Sequence, residues 1–287
     1  LALLYNKDLF RQAGLDPNHP PKDWDELLDF SRKLTIDKNN DGKFEQVGFF
    51  IPVFPATGSR NGWMVWQYRP FLWQAGGDFI EKDQSKVTYD SEAGIKALTL
   101  WQKLFQEQKL ETFTSDFDMA FISKQLAMAM DGPWSLPRYK DLMKGIDWAF
   151  APLPAGPAKQ ATIVGGEYLC IFKQSKNPDA AWEFVKWISS PEAQAQWCMT
   201  SGYLPIRRSV KEIPEFKKYL EENANYKVFV DQMDVGQAEL SIDYGAMQIT
   251  QHIGEAIEGV TIGKRDVRTA LKNSAKKSND LLNRARK

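Results

Sequence analysis

The stretch FISKQLAMAMDGPW, residues 121–134, carries the clearest structural signals in the chain. Its central part, Leu126–Met130, is an uninterrupted apolar run with the length of a buried strand. Asp131 and Gly132 then supply turn residues, and Pro133 stands where proline is favoured, in the first turn of a new helix. A buried strand that leads through a tight turn into a helix is typical of an α/β fold.

Helical and strand patterns alternate on both sides of this stretch, which predicts the α/β class for the whole chain. Asp23 precedes a helical run from Trp24 to about Thr35, and Glu26 completes a capping-box pattern. The same periodicity predicts helices that begin at Ser91, Met119, Pro178 and Pro191, and a mostly helical segment over 214–287. Strands are predicted at Val47–Pro52, Val87–Tyr89, Trp148–Leu153 and Thr162–Phe172, and residues 55–69 are predicted to be a loop.

Composition and charge exclude several classes of protein. Apolar residues make up 43% and charged residues 26% of the 287, which is ordinary for a globular chain, and no apolar run approaches the length of a membrane span. Thirty-seven basic residues balance thirty-seven acidic ones, so no net charge attracts nucleic acid. The two cysteines, Cys170 and Cys198, are too few for a disulfide framework.

One loop has part of a cation-binding pattern. Its residues follow the spacing of the first half of a calcium loop: Asp37, Asn39, Asp41 and Gly42. The twelfth position is Gly48 instead of a glutamate, which favours an Asx-rich turn over a cation site and leaves Asp37, Asn39 and Asp41 as a weak metal candidate. His252 and Glu255 share a helical face without a second histidine nearby, which favours a surface pair over a metal site. We therefore expect no resident metal and no cofactor.

Trp63, Trp66 and Trp134 fit none of the predicted helical core stripes, unlike Trp101, Trp182 and Trp187. Trp63 and Trp66 lie in the loop predicted over 55–69, and Trp134 follows the Gly-Pro turn. Indoles in such places can stack on the apolar faces of sugar rings, while polar neighbours bind the hydroxyl groups. The alternative is that each indole packs its own loop onto the core. Composition alone does not decide between the two interpretations.

Short motifs occur in a fixed order along almost the whole chain. Residues 5–10 read YNKDLF, residues 20–27 read PPKDWDEL, and the stretch 121–134 is the most specific. Further motifs lie at Gly165–Gly166, Asn177–Phe184, Ser190–Gln194 and Gly202–Arg207. Together they resemble the extracellular solute-binding proteins of the maltose-binding type (family 1), which capture substrates for carbohydrate ABC importers. The resemblance rests on the order and spacing of the motifs.

The resemblance implies a two-lobe fold of the periplasmic-binding-protein type II class. In that family most of the first lobe precedes the motif at residues 5–10, so we expect a fragment that contains mainly the C-terminal lobe and a remnant of the N-terminal lobe. The expected divisions are 1–165 for the main part of the C-terminal lobe, 166–208 for the hinge and returning N-terminal-lobe segment, and 209–287 for C-terminal-lobe helices. Apolar residues of the remnant, such as Val185 and Ile188, would then be exposed.

The same resemblance implies a function without catalysis. The protein would capture a sugar or oligosaccharide in the cleft and deliver it to a membrane permease, as a monomer with no nucleic-acid partner. It would be periplasmic or extracellular, with or without a lipid anchor, and closure around the ligand would present a surface to the permease. The ligand-binding residues implied are Trp63, Trp66, Trp134, Gly165, Gly166, Glu167, Tyr203 and Arg207.

Two alternative functions remain open at this point. Relatives of this type also bind glycerol phosphodiesters, and a phosphate would need a cluster of cationic groups, for which the candidates are Arg60, Arg69 and Arg207. A glycoside hydrolase would need two carboxyl groups that flank a glycosidic bond, for which Asp131 and Glu167 are an example. Pairs of this kind are frequent by chance among thirty-seven carboxylates.

Overall fold

The computed structural model of the protein describes residues 1–110 and 117–286, and its core is built on a mixed four-stranded sheet. The strands are β1 (Ala2–Asn6), β2 (Val47–Phe50), β3 (Leu126–Asp131) and β4 (Trp148–Ala151), in the order β2-β3-β1-β4. β1 pairs antiparallel with β3 and β4, and β2 pairs parallel with β3. Every residue of β1 and β3 is buried, as expected of central strands.

A second, two-stranded sheet joins distant parts of the chain. β5 (Thr162–Ile163) runs parallel to β6 (Gly236–Gln237). The α-helices of the described residues are α1 (Lys7–Gln12), α2 (Trp24–Leu34), α3 (Asn61–Gln74), α4 (Glu92–Glu107), α5 (Phe117–Ile122), α6 (Leu136–Leu142), α7 (Pro178–Ile188), α8 (Pro191–Ser201), α9 (Pro214–Glu222), α10 (Ala224–Asp231), α11 (Ala246–Thr261) and α12 (Val267–Ala285). The α/β class predicted from the sequence is confirmed.

Helix α2 forms where the sequence predicts it and for the predicted reason. The carboxylate of Asp23 accepts a hydrogen bond from the backbone N–H of Glu26 at 2.9 Å, which satisfies one free donor of the first turn. Leu27, Phe30 and Leu34 recur at helical spacing and are buried in the core. The helix therefore owes its position to one apolar face.

Helix α3 corrects the prediction of a loop over residues 55–69. Eleven of its fourteen residues are buried, so apolar and polar residues do not alternate with a helical period. The helix also contains Pro70, which cannot donate a hydrogen bond to the carbonyl of Trp66 and normally argues against a helix interior. Burial on nearly all sides compensates for that loss, and Trp63 and Trp66 consequently lie on a helix.

Two predicted strands are shorter than the sequence indicates. Only Thr162–Ile163 of the predicted strand Thr162–Phe172 pairs with another strand, and the loop beyond it is exposed, with Tyr168 at 93%. The predicted strand Val87–Tyr89 is reduced to a single bridge between Ile80 and Val87. In both places the apolar residues suit a strand, but no partner strand extends alongside them.

The helix pair α7–α8 has an exposed apolar surface. No residue of α7 is buried, and large side chains of both helices are about half exposed or more: Trp182, Phe184, Trp187 and Trp197. Val185 and Ile188, expected to be exposed, are only partly so. Such a surface is unusual for a helix that packs on its own domain. Among the described helices, none combines the length and the apolarity that crossing a membrane requires.

Candidate functional site

Four of the eight predicted ligand-binding residues meet in one group of rings, which we call the aromatic cluster: Trp63, Trp66, Trp134 and Tyr203. The indoles of Trp63 and Trp66 are stacked, with centroids 5.2 Å apart, and each lies 6.2 Å from the indole of Trp134. The ring of Tyr203 lies 6.4 Å from that of Trp134. Rings from three remote parts of the sequence thus meet in the aromatic cluster. They come from helix α3, the turn after β3 and the segment after α8.

The aromatic cluster is anchored on one side and accessible on the other. Trp66 and Trp134 pack against the hydrophobic core and remain partly exposed, while Trp63 is 39% exposed. Gly165 lies against the indole of Trp66, since a Cβ added to this glycine would be 3.2 Å from Cζ2. The rings are therefore fixed in place and still offer apolar area to a ligand.

Polar groups lie at the edge of the aromatic cluster. The hydroxyl of Tyr203 donates a hydrogen bond to Oε1 of Glu167 at 2.8 Å, and this bond raises the pKa of Tyr203. Gly165, Gly166 and Glu167 are exposed in the loop that follows β5. Seven of the eight predicted residues thus belong to one region.

Arg207 makes its recorded hydrogen bond outside that region. Its Nε donates a hydrogen bond to the carbonyl of Ser189, the residue that ends α7. The structure therefore gives Arg207 a contact with the α7–α8 turn and no contact of its own with the aromatic cluster among the described residues.

The three arginines considered for phosphate binding have different neighbours. Arg69 is only 4% exposed, with Nε 3.0 Å from a carboxylate oxygen of Glu239 and the guanidinium 3.9 Å above the ring of Phe79. Burial lowers its pKa. Arg60 lies over the ring of Phe54. These contacts do not assemble a common cationic site among the described residues.

The two carboxyl groups considered for glycoside hydrolysis lie in unlike environments. Asp131 is buried, and its oxygens accept hydrogen bonds from the Gly132 N–H and the Tyr139 hydroxyl. Burial raises the pKa of Asp131. Glu167 is exposed beside Tyr203. The oxygens of Asp131 are thus occupied by the protein, which does not fit a group that protonates a substrate.

The calcium-like loop is held by hydrogen bonds to its own backbone. Asp37 accepts from the Gly42 N–H at 2.9 Å, and Asp41 accepts from the Lys43 N–H at 2.8 Å. Asn39 accepts from the Asp41 N–H at 3.2 Å. These are the bonds of an Asx-rich turn. In residues 1–110 and 117–286, no three His, Cys, Asp or Glu side chains are grouped to hold a metal ion.

One aromatic residue of this region was missed by the sequence analysis. Trp197, on the last turns of α8, lies with its ring 6.4 Å from that of Tyr203 and is 49% exposed. It extends the row of rings beyond the four predicted members. The available signal was its position six residues before Tyr203, on a helix without an apolar stripe.

Known proteins resemble this chain over nearly its full length. A family model described as bacterial extracellular solute-binding protein matches residues 1–224. The sn-glycerol-3-phosphate-binding periplasmic protein UgpB of Escherichia coli O1:K1 is 25% identical over 308 residues, which covers 100% of this chain and 66% of that protein. The chain therefore spans slightly less than two thirds of this curated relative.

Two solved structures share the fold closely. The cyclic alpha-maltosyl-1,6-maltose binding protein of Arthrobacter globiformis has a TM-score of 0.82 at 25% identity, with 99% of this chain and 70% of that chain covered. An ABC transporter solute-binding protein of Thermotoga lettingae, bound with α-D-tagatose, has a TM-score of 0.81 at 29% identity, with 98% and 70% covered. Both are two-lobe periplasmic binding proteins. Given the match over residues 1–224, the chain belongs to the bacterial extracellular solute-binding protein family.

Proposed function

We propose that the protein is the substrate-binding component of an ABC importer and captures a sugar or oligosaccharide at the aromatic cluster. The observation that carries the proposal is the convergence of Trp63, Trp66 and Trp134 from two remote segments, with accessible ring area left over. The C–H faces of a pyranose ring are weakly apolar. Stacking on an indole is favourable because it removes apolar surface of both groups from water.

Sugar hydroxyl groups would be bound at the edge of the cluster. The phenol of Tyr203 and the carboxylate of Glu167 already share a hydrogen bond, so their positions relative to the rings are defined before a ligand arrives. The exposed backbone of Gly165 and Gly166 has no side chain to block a close approach. Such preorganisation reduces the entropy lost on binding.

The remaining parts of the proposal concern the whole protein. We assign residues 1–165 and 209–287 to one lobe, and 166–208 to the hinge and part of a second lobe. The exposed apolar side chains of α7 and α8 support this division, since a second lobe would bury them. The protein would act without catalysis, as a monomer in the periplasm or outside the cell, and would deliver its ligand to a membrane permease.

The proposal is tested by titrating the intact protein with monosaccharides and oligosaccharides while its tryptophan fluorescence is recorded. We expect a saturable change with one class of sugar and a loss of affinity of at least about tenfold in Trp134→Ala. Trp182→Ala, which removes an exposed indole outside the cluster, is the matched control and should retain the affinity. Absence of binding by the unmodified protein across the whole panel would overturn the proposal.

A glycerol phosphate ester is the second candidate ligand. It is favoured by the 25% identity to UgpB across the entire chain. The separate neighbours of Arg60, Arg69 and Arg207 speak against it, because a phosphate needs converging donors. The same titration with glycerol 3-phosphate, at low and high salt, separates the two candidates. Sugar affinity should hardly change with salt, whereas affinity for the anion should fall steeply.

A further inference from the structure

Gly132 lies between β3 and Trp134 in a backbone conformation that does not require glycine. Its φ is −113° and its ψ is 166°, which is extended backbone that any residue adopts. The reason for glycine at this position must therefore be the space around its Cα and not its dihedral angles.

That space is filled by the indole of Trp134. A Cβ added to Gly132 would lie 2.1 Å from Cη2 and 2.2 Å from Cζ2 and Cζ3 of the indole. The six-membered ring of Trp134 is thus folded back against the Cα of Gly132, at a distance that no side chain at position 132 permits. From this position the indole contacts Trp63, Trp66 and Tyr203.

The backbone on both sides of the indole is fixed. Asp131 accepts a hydrogen bond from the Gly132 N–H at 2.8 Å, and the carbonyl of Gly132 accepts one from the Ser135 N–H at 3.2 Å. Gly202 packs on the carbonyl of Pro133, since a Cβ there would be 2.1 Å from that oxygen. A methyl group at position 132 would consequently displace the indole rather than the turn.

We propose that Gly132 is a positioning residue for ligand binding. Because position 132 has no side chain, the Trp134 indole can occupy the space beside its Cα and remain in the aromatic cluster. The inference rests on the proposed function, in that the cluster is the ligand site. It predicts that Gly132→Ala displaces the Trp134 indole from the aromatic cluster. The variant should therefore resemble Trp134→Ala in spectrum and in sugar affinity, although it still contains Trp134.

The test is a double-mutant cycle of Gly132→Ala and Trp134→Ala. The first readout is the near-ultraviolet circular dichroism of the unliganded protein, which reports the packing of neighbouring indoles. We expect Gly132→Ala to change the spectrum in the Trp134→Ala direction, and to add nothing in the Trp134→Ala background, where the methyl group meets no ring. Gly62→Ala is the matched control, because a Cβ at Gly62 has open space around it beside Trp63.

The second readout is sugar affinity, which we expect Gly132→Ala to lower at least about tenfold and the double variant to lower no further than Trp134→Ala alone. The inference would be overturned if Gly132→Ala lowered sugar affinity by the same factor in the unmodified protein and in the Trp134→Ala background. An unchanged near-ultraviolet spectrum of Gly132→Ala would also overturn it. If Gly132→Ala does not fold, refolding of the double variant supports the inference and failure to refold overturns it. Absence of sugar binding would contradict the proposed function. The circular dichroism of the four proteins in the cycle would then decide by itself whether Gly132 positions the Trp134 indole.

Discussion

The hydroxyl of Tyr203 donates a hydrogen bond of 2.8 Å to Oε1 of Glu167. These two residues lie on either side of the α7–α8 pair in sequence, so the bond joins the segment that leads into the pair to the segment that leaves it. The carbonyl of Tyr203 is also held, by a hydrogen bond from the hydroxyl of Tyr226 on α10. The ring of Tyr203 is therefore fixed against Trp134 from two directions.

The first prediction concerns this hydrogen bond. Glu167→Ala should lower sugar affinity several-fold, because it removes one acceptor of ligand hydroxyl groups and releases the phenol that borders Trp134. Tyr203→Phe keeps the ring and removes only the donor, so it should lose less. Fluorescence titration of both single variants and the double variant measures the coupling between the two groups.

Glu167→Gln is the control for that prediction, since its amide keeps an oxygen that accepts from the Tyr203 hydroxyl. It should retain more affinity than Glu167→Ala. Strict additivity of Glu167→Ala and Tyr203→Phe would show that the bond has no part in binding.

The second prediction concerns the core beneath α3. Trp101 of α4 is fully buried, and its indole meets the rings of Tyr68 and Phe71 edge-on at 5.3 and 5.7 Å. Trp101→Ala should lower the free energy of unfolding by about 3–5 kcal/mol, because a large cavity replaces these contacts. The shift of the urea midpoint at constant slope measures the loss.

Trp101→Phe separates packing from hydrogen bonding at the same site. The indole N–H of Trp101 has no hydrogen-bond partner among the described residues, so phenylalanine removes an unpaired buried donor together with part of the ring. The loss of stability should be well below that of Trp101→Ala. A loss as large as that of the alanine variant would contradict this expectation and show that removing the unpaired donor does not offset the lost ring packing.

The sequence predicts elements whose pattern is local. Helix α2 has a capping residue and one apolar face, and β3 is a short apolar run closed by turn residues, so both are found where expected. Helix α3 could not be predicted in this way, because burial on nearly all sides removes the period and Pro70 suggests a break. The length of β5 (Thr162–Ile163) depends on its partner β6, which lies more than seventy residues away in the sequence. No local pattern reveals that partner.

The candidate site was predicted in part for the wrong structural reason. Trp63 and Trp66 were expected to be accessible as loop residues, yet they are accessible from a helix whose other residues are mostly buried. The family resemblance implies a binding role for them together with Trp134 and Tyr203, which stays a prediction. The approach of these rings in space is a long-range property that no local pattern gives. Trp197 is not predicted, because its proximity to Tyr203 in sequence and the lack of an apolar stripe on α8 are weak signals beside the long-range approach of the two rings.

The third prediction concerns the two thiols, which have opposite environments. Cys170 is exposed, whereas Cys198 is buried on α8, and burial raises the pKa of its thiol to about 11. Since the thiolate is the reactive form, Cys198 should react far more slowly at neutral pH than Cys170. Mass spectrometry after brief alkylation should find one label per chain, at Cys170.

Denaturation is the control for the thiol prediction, because it should expose Cys198 and give two labels. Rapid labelling of Cys198 in the folded protein would mean that α8 opens from the α9 and α10 side of the molecule far more readily than its burial indicates.

The last prediction is a pH dependence carried by His252 on α11. Its Nδ1 lies 3.0 Å from the hydroxyl of Ser278 on α12, and burial, together with the charge of Lys277, lowers its pKa, against the opposing effect of Glu255. The unfolded chain therefore binds a proton more readily than the folded protein as the pH falls below about 6.5. Stability should consequently decrease on acidification through this range and recover as the pH rises.

His252→Asn removes the titrating group and leaves a side chain that can reach the Ser278 hydroxyl. The substitution also replaces a partly buried ring by a smaller side chain, which changes stability at every pH. The comparison must therefore use the slope of the melting temperature against pH and not its absolute value. Between about pH 5 and pH 7, the slope should be smaller in the variant than in the unmodified protein. Equal slopes would place the acid sensitivity elsewhere than at the contact between α11 and α12.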